Sequence, residues 1–115
     1  MSTSSPQAVA EAYFAAIGAR DVEGIKQVFA PAGELVTPTG TYVGPDHIAE
    51  FYAGQAFAAP DLQPQVGPFL IDHERLAVEI VLQMYGQKSR VADVFEIRDG
   101  LIQRLAVYLG GPAGT

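Results

Sequence analysis

Three hairpin signals follow one another in the second half of this chain, and they constrain its fold more than any other feature. Runs 69–71, 76–85, 89–97 and 101–109 are rich in Val, Ile, Leu, Phe and Tyr, and the breaks between them are Asp72-His73-Glu74, Gly86-Gln87 and Asp99-Gly100. Short polar or glycine-bearing breaks between alternating apolar runs mark an antiparallel meander. Side chains alternate between faces with period two, so Leu76, Val78, Ile80, Leu82 and Met84 share one face of the second run. By the same rule Leu101, Leu105, Val107 and Leu109 are expected to share one face of the last.

The first half has a helical character. Ser5 can cap a helix that begins with Pro6, and Val9, Tyr13, Ala16 and Ile17 recur at helical spacing up to Gly18, which predicts a helix over 6–18. Asp21 can cap a second, short helix with Ile25, Val28 and Phe29 as its apolar stripe, ended by Pro31 and Gly33. Segments 34–38 and 41–43 flank Thr39-Gly40 as a short hairpin, and after Gly44-Pro45-Asp46 the residues Ile48, Phe51, Tyr52 and Gln55 mark a third helix. Pro60, Pro64 and Pro68 make the start of 58–68 a loop, and confine any strand there to a sheet edge. Helices gathered before a meander predict an α+β fold, with about three N-terminal helices packed on a curved, mainly antiparallel sheet. The 115 residues, 49% hydrophobic, suffice for a single domain over 1–115. Segments 1–5 and 111–115 are expected to be flexible tails.

Seven basic against thirteen acidic residues give a net charge of −6, and the Lys and Arg residues are scattered. That argues against nucleic acid or an anionic membrane as partner. The sequence has no apolar run of membrane-spanning length and no leader pattern, so a cytoplasmic location is expected. With no cysteine, and with His47 and His73 far apart, no metal site is expected. The outward sheet face carries Ala77, Val81, Tyr85, Ala92, Val94, Ile102, Ala106 and Tyr108 among Glu79, Gln83, Glu96 and Arg104. Such a mixed face suggests a homodimer formed through it.

One residue breaks the pattern of the meander. In the run 90–98, Asp93 falls on the face of Val91, Phe95 and Ile97, where a strand should bury hydrocarbon. An unpaired buried carboxylate costs several kcal/mol, roughly, so its presence needs a cause. A register slip or bulge could turn it to solvent, an ion pair with Arg75, Arg90 or Arg104 could neutralise it, or it could serve a site.

Several segments resemble the bacterial steroid Δ-isomerases, or ketosteroid isomerases: Ala12-Tyr13-Phe14-Ala15-Ala16-Ile17, Asp21-Val22-Glu23-Gly24-Ile25, Pro38-Thr39-Gly40, Glu50-Phe51-Tyr52-Ala53, Ala92-Asp93-Val94-Phe95 and Val107-Tyr108-Leu109-Gly110. The likeness covers almost the whole chain and implies the cone-shaped fold of the nuclear transport factor 2 and SnoaL-like superfamily. That superfamily hosts isomerases, cyclases, dehydratases, epoxide hydrolases and non-enzymes. In the steroid isomerases a carboxylate base moves a proton across a β,γ-unsaturated ketone, while a tyrosine and an aspartic acid kept neutral by its apolar site hold the dienolate oxygen. The resemblance matches Tyr13 to that tyrosine, Asp93 to the neutral acid and Tyr52 to a tyrosine that orients the first, and it implies no metal or organic cofactor.

The base is where the match ends. The family has an aspartate before the hairpin proline, and this chain has Thr37 before Pro38. A neutral hydroxyl cannot replace that base, although Thr37 could position a water or a polar group of a ligand. Asp61, in the proline-rich loop, is the first alternative; Glu34 points to the opposite strand face, and Asp46, Asp72, His73 and Glu79 have weaker claims. Val78, Ile80, Leu82, Met84, Phe95, Leu105 and Leu109 point inward and are expected to receive an apolar polycyclic ligand. Two main readings follow: an enzyme that stabilises the dienolate of a steroid-like ketone, or a binding protein that keeps the pocket without turnover. A different SnoaL-like enzyme, such as a cyclase, dehydratase or epoxide hydrolase, is the third.

Overall fold

Ser5 starts the first helix, as its cap position suggests. Its hydroxyl accepts from the Ala8 amide at 3.2 Å, and helix α1 runs over Pro6–Ala19. Arg20, in the left-handed region at φ 53°, closes it by donating its amide to the Ala16 and Ile17 carbonyls. Val9, Ala10, Tyr13, Ala16 and Ile17 form the buried face. The computed structural model describes residues 4–113.

Asp21 caps helix α2 (Val22–Val28) by accepting from the Gly24 amide at 3.0 Å. This helix ends earlier than expected. Phe29 is already extended, and Pro31 and Gly33 lie within strand β1 (Phe29–Thr37) instead of stopping the helix. The pairing of β1 is irregular between Phe29 and Glu34, where a proline without an amide hydrogen can be tolerated. Gly33 permits that crossing, since a Cβ there would sit 2.8 Å from the Ile102 carbonyl oxygen.

Strand β2 (Gly40–Val43), helix α3 (Pro45–Gly54) and a single 3-10 turn (Ala56–Ala58) follow. Strands β3 (Gln63–Val66), β4 (Leu70–Asp72), β5 (Arg75–Met84), β6 (Gln87–Arg98) and β7 (Leu101–Pro112) complete the sheet. Its order is β2-β1-β7-β6-β5-β3, with β4 also on β5, and every pair is antiparallel except β1 with β7. Pro64 thus sits on an edge strand. The architecture is an α+β cone in which three helices, among the described residues, pack on a curved and mostly antiparallel open sheet.

Two-residue turns with positive φ join the long strands. Tyr85 and Gly86 lie at φ 53° and 77°, and Asp99 and Gly100 at 57° and 74°. Paired positive φ values match the right-handed twist of the flanking strands. The first of these turns falls one residue earlier than the Gly86-Gln87 expected, and Gln87 belongs to β6.

The last strand departs from simple alternation. Glu96 pairs with Arg104 while Ile97 pairs with Ile102, which leaves Gln103 as an extra residue. That bulge turns Ile102 inward beside Leu105, both completely buried, and leaves Leu101 only partly covered. The expected placement of Ile102 on the outer face and Leu101 on the inner is therefore reversed. A second irregularity, between Arg90 and Val91, makes Gly110 the extra residue.

Strand β7 continues through Gly111 and Pro112, and the Ala113 amide donates to the Lys88 carbonyl at 2.9 Å. These residues belong to the sheet, not to the expected tail over 111–115. Ser5 likewise belongs to the cap of α1. Ser4 is exposed and outside any element, and positions 1–3 and 114–115 of the expected tails lie outside the described residues.

The core lies between the helices and the inner sheet face. Phe95, Ile25, Leu35, Ile48, Leu76, Ile97, Ile102 and Leu105 are its largest fully buried side chains. Each contributes about 1.5–3 kcal/mol by leaving water, so together they fix which face of β5, β6 and β7 points inward. On the outer face Ala77, Val81, Ala92 and Val94 are half-buried, Tyr85 and Tyr108 are exposed, and Ala106 is buried. Among the described residues no helix is long and apolar enough to cross a membrane.

Candidate functional site

Three elements bring polar groups to one place inside this core. Helix α1 supplies Tyr13 from its buried face, α3 supplies Tyr52, and β6 supplies Asp93; they are 4%, 7% and 4% exposed. The Tyr13 and Tyr52 hydroxyls hydrogen-bond to each other. Edge-to-face contacts with Phe14, Phe29 and Phe95, at centroid distances of 5.0, 6.2 and 5.6 Å, hold the Tyr13 ring.

Asp93 keeps the inward orientation that its place in the strand dictates, because the bulges fall in β7 and not in β6. Its register partners are Val78 on β5 and Val107 on β7, so hydrocarbon flanks it on both sides. No arginine reaches it. Arg75 approaches Glu96 at 4.0 Å instead, and Arg90 is exposed. Among the described residues its carboxyl has no protein partner. Burial alone raises it from the usual 3.8 to about 7. Burial also raises the Tyr13 hydroxyl, and the nearby Tyr52 and Asp93 charges push the same way. The Tyr52 hydroxyl is raised mainly by burial, with the hydrogen bond to Tyr13 acting in the opposite direction.

These groups border a cavity of about 570 Å³. Phe14, Tyr42 and Phe51 give it aromatic walls, and Ile80, Leu82, Met84, Val91, Val107 and Leu109 give it an aliphatic one. Thr37, Pro38, Thr39 and Gln55, all half-buried or exposed, form its rim. Among the described residues Asp93 is the only carboxyl in the lining, and no Lys, Arg or His borders the cavity.

Leu82, Met84 and Leu109 thus border the cavity as expected from their inward direction. Val78, Phe95 and Leu105 do not: they are enclosed in the core, and Phe95 reaches the site only by packing on Tyr13. An inward direction is shared by cavity walls and filled core, so alternation could not separate the two.

Thr37, which stands at the position of the missing base, and Asp61, the first alternative to it, are both engaged elsewhere. Thr37 borders the cavity, but its hydroxyl donates to the Gly40 carbonyl at 2.9 Å and accepts from the Gly40 and Thr39 amides at 3.1 and 3.2 Å. It is occupied in locking the β1–β2 turn. Asp61 does not border the cavity. Its carboxylate accepts from the Tyr85 and Gly86 amides at 2.7 and 2.8 Å, and these bonds, that from Gly86 foremost, hold its pKa below the usual value. An acid fixed in this way holds the β5–β6 turn and is a poor proton acceptor, which weighs against the alternative-base role expected of Asp61. Glu34, Asp46, Asp72, His73 and Glu79 are also absent from the lining.

Sequence reasoning missed Phe14, Tyr42 and Phe51 as wall residues. Tyr42 packs on Phe51 with centroids 4.4 Å apart, which joins the hairpin to α3 beside the cavity. An aromatic residue next to each singled-out position, Phe14 after Tyr13 and Phe51 before Tyr52, was the available signal. Among the described residues no group of three or more His, Cys, Asp or Glu side chains is placed to hold a metal ion.

Comparison with known proteins agrees with this geometry at the level of fold. A candidate ketosteroid isomerase from Kribbella flavida superposes with a TM-score of 0.81 at 21% identity, over 96% of this chain and 81% of that one. An NTF2-like protein of unknown function from Cytophaga hutchinsonii gives 0.81 at 12% identity, over 95% and 92% of the two chains. A candidate polyketide cyclase from Sinorhizobium meliloti gives 0.77 at 20% identity, over 87% and 93%. No curated protein matches the sequence. The model of the SnoaL-like domain matches residues 10–105, and the chain belongs to that family.

Proposed function

We propose that this chain binds an apolar, steroid-like ring ketone in its enol or dienolate form, with Tyr13 and protonated Asp93 donating hydrogen bonds to the ligand oxygen. The convergence of Tyr13, Tyr52 and Asp93 on one apolar cavity carries this reading. Two donors fixed in a dry site need little rearrangement as negative charge develops on an oxygen, so they favour the enolate strongly. Tyr52 would donate to Tyr13 and leave the Tyr13 hydrogen free for the ligand. Asp93 can donate only while protonated, and burial keeps it so up to about pH 7.

Ketosteroid-isomerase turnover needs a base as well. The commitment of Thr37 and Asp61 to turns favours a site that retains the oxygen-binding half of that chemistry and lacks the proton-transfer half. The test is fluorescence titration with a naphthol, whose ring and hydroxyl imitate an enol. Binding should weaken tenfold or more, roughly, in Tyr13→Phe and in Asp93→Leu; binding that neither substitution changes would overturn the reading.

The homodimer remains part of the proposal. The outer face presents Ala77, Val81 and Val94 beside exposed Tyr85 and Tyr108. A second copy would cover that apolar area. Light scattering at micromolar concentration should give twice the chain mass, and a monomeric mass would count against it.

A further inference from the structure

We infer that the same cavity also takes an apolar organic cation, an ammonium group carried on a hydrocarbon frame, with Asp93 as its counterion. Buried carboxylates in proteins are paired, and Asp93 is not. It is 4% exposed, with Val78 and Val107 as its strand neighbours, and among the described residues no Lys, Arg or His borders the cavity to neutralise it. Among those residues, too, no fully enclosed side-chain oxygen lacks a partner. The unpartnered Asp93 oxygens therefore keep contact with the open cavity, and the missing positive charge has room to come from a ligand.

The walls suit such a ligand. Tyr13, Phe14, Tyr42, Phe51 and Tyr52 all border the cavity. Aromatic rings attract an organic ammonium through their faces, most strongly where water is excluded, and the hydrocarbon frame would lie against the aliphatic wall. A compact, strongly hydrated inorganic cation would gain little here, because among the described residues the lining offers one carboxyl and otherwise only neutral hydroxyl and amide side-chain oxygens.

The inference rests on the same cavity as the reading above but needs the other state of its carboxyl. An oxygen ligand needs Asp93 protonated, whereas an ammonium needs it ionised, so the two affinities move in opposite directions with pH. The titratable groups that face Asp93 across the cavity are Tyr13 from α1, Tyr52 from α3 and Tyr42 from β2. Burial pushes Tyr13 and Tyr52 up, so both stay neutral as Asp93 ionises. From β5 and β7 its neighbours are valines.

Benzyltrimethylammonium is a suitable probe because its charge is permanent, and neopentylbenzene is its neutral carbon counterpart. By calorimetry on the full chain at about pH 8.5, the cation should bind at least tenfold, roughly, more tightly than the neutral compound. If only the ionised site binds, affinity should rise about thirtyfold between about pH 5.5 and 8.5, following the ionised fraction. Asp93→Asn should abolish the rise. A cation that binds no better than neopentylbenzene, or a pH dependence that persists in Asp93→Asn, overturns the inference. Should that variant fail to fold by circular dichroism, the wild-type comparison of the two probes decides alone. A naphthol titration over the same range separates the two readings. Naphthol binding without cation binding sinks this inference only, and cation binding without naphthol binding sinks the oxygen reading only.

Discussion

Asp93 and Asp61 carry the same side chain into opposite conditions. Asp93, at the deep end of the cavity, has no protein partner among the described residues, and burial raises it to about 7. Asp61, in the loop leading to β3, takes two backbone amides at 2.7 and 2.8 Å and is held below its usual value. Thr37 at the rim resembles Asp61 in this respect, since its hydroxyl is spent within its own turn. A polar group near a cavity is available to a ligand only if the fold has left its hydrogen-bonding capacity unused, and here that condition holds at the deep end.

The largest effect that would sharpen this contrast is a pH-dependent stability difference. Asp93 has a folded pKa of about 7 against an ordinary 3.8, so between those values the folded state holds a proton that the unfolded state has lost. Stability due to this group is fully present below the unfolded value and is lost as pH rises through the folded one, at about 1.4 kcal/mol per pH unit and on the order of 4 kcal/mol in all. Asp93→Asn should lack this loss when urea unfolding of both proteins is compared at about pH 4.5 and 7.5. Parallel behaviour would mean that Asp93 titrates like an exposed carboxyl.

Tyr13→Phe comes next. Losing one donor to a developing negative charge should reduce naphthol affinity by about 1.5–3 kcal/mol, with a smaller loss for Tyr52→Phe because Tyr52 acts through Tyr13. Equal losses would mean that both tyrosines touch the ligand. Thr37→Val should cost about 1 kcal/mol of stability through the turn and leave naphthol affinity unchanged; a large loss of affinity would move Thr37 into the ligand site.

The smallest effect is expected at Asp61. Its depressed pKa gives stability that is present above the unfolded value and is lost as pH falls through the folded one. Asp61→Asn should therefore lower the thermal unfolding midpoint slightly at neutral pH, less so in acid, with ligand binding unchanged.

Much of this was legible in the sequence because the signals were local. Ser5, Asp21 and the Pro45 region announced their helices, Pro64 announced an edge strand, and the inward Asp93 followed from period two alone. The misplacements came where the period breaks. Gln103 is an extra residue in β7, which exchanges the roles of Leu101 and Ile102, and nothing in 101–109 signals it. Alternation also could not say where core ends and cavity begins, so Val78, Phe95 and Leu105 looked the same as Leu82 and Met84. The commitments of Thr37 and Asp61 depend on turn amides, and Asp61 meets its partners only when the β5–β6 turn folds over it from more than twenty residues away.

The central claim is that the oxygen-binding half of the site is present and the base is missing. The most direct measurement follows conjugated-enone absorbance from a β,γ-unsaturated ketosteroid, with wild type and Thr37→Asp compared after steroid binding to each is established. Wild type should bind without turnover, and Thr37→Asp should convert the ketone. Turnover by wild type at a rate similar to that of Thr37→Asp would contradict the account, because a base would then be acting from a place other than position 37.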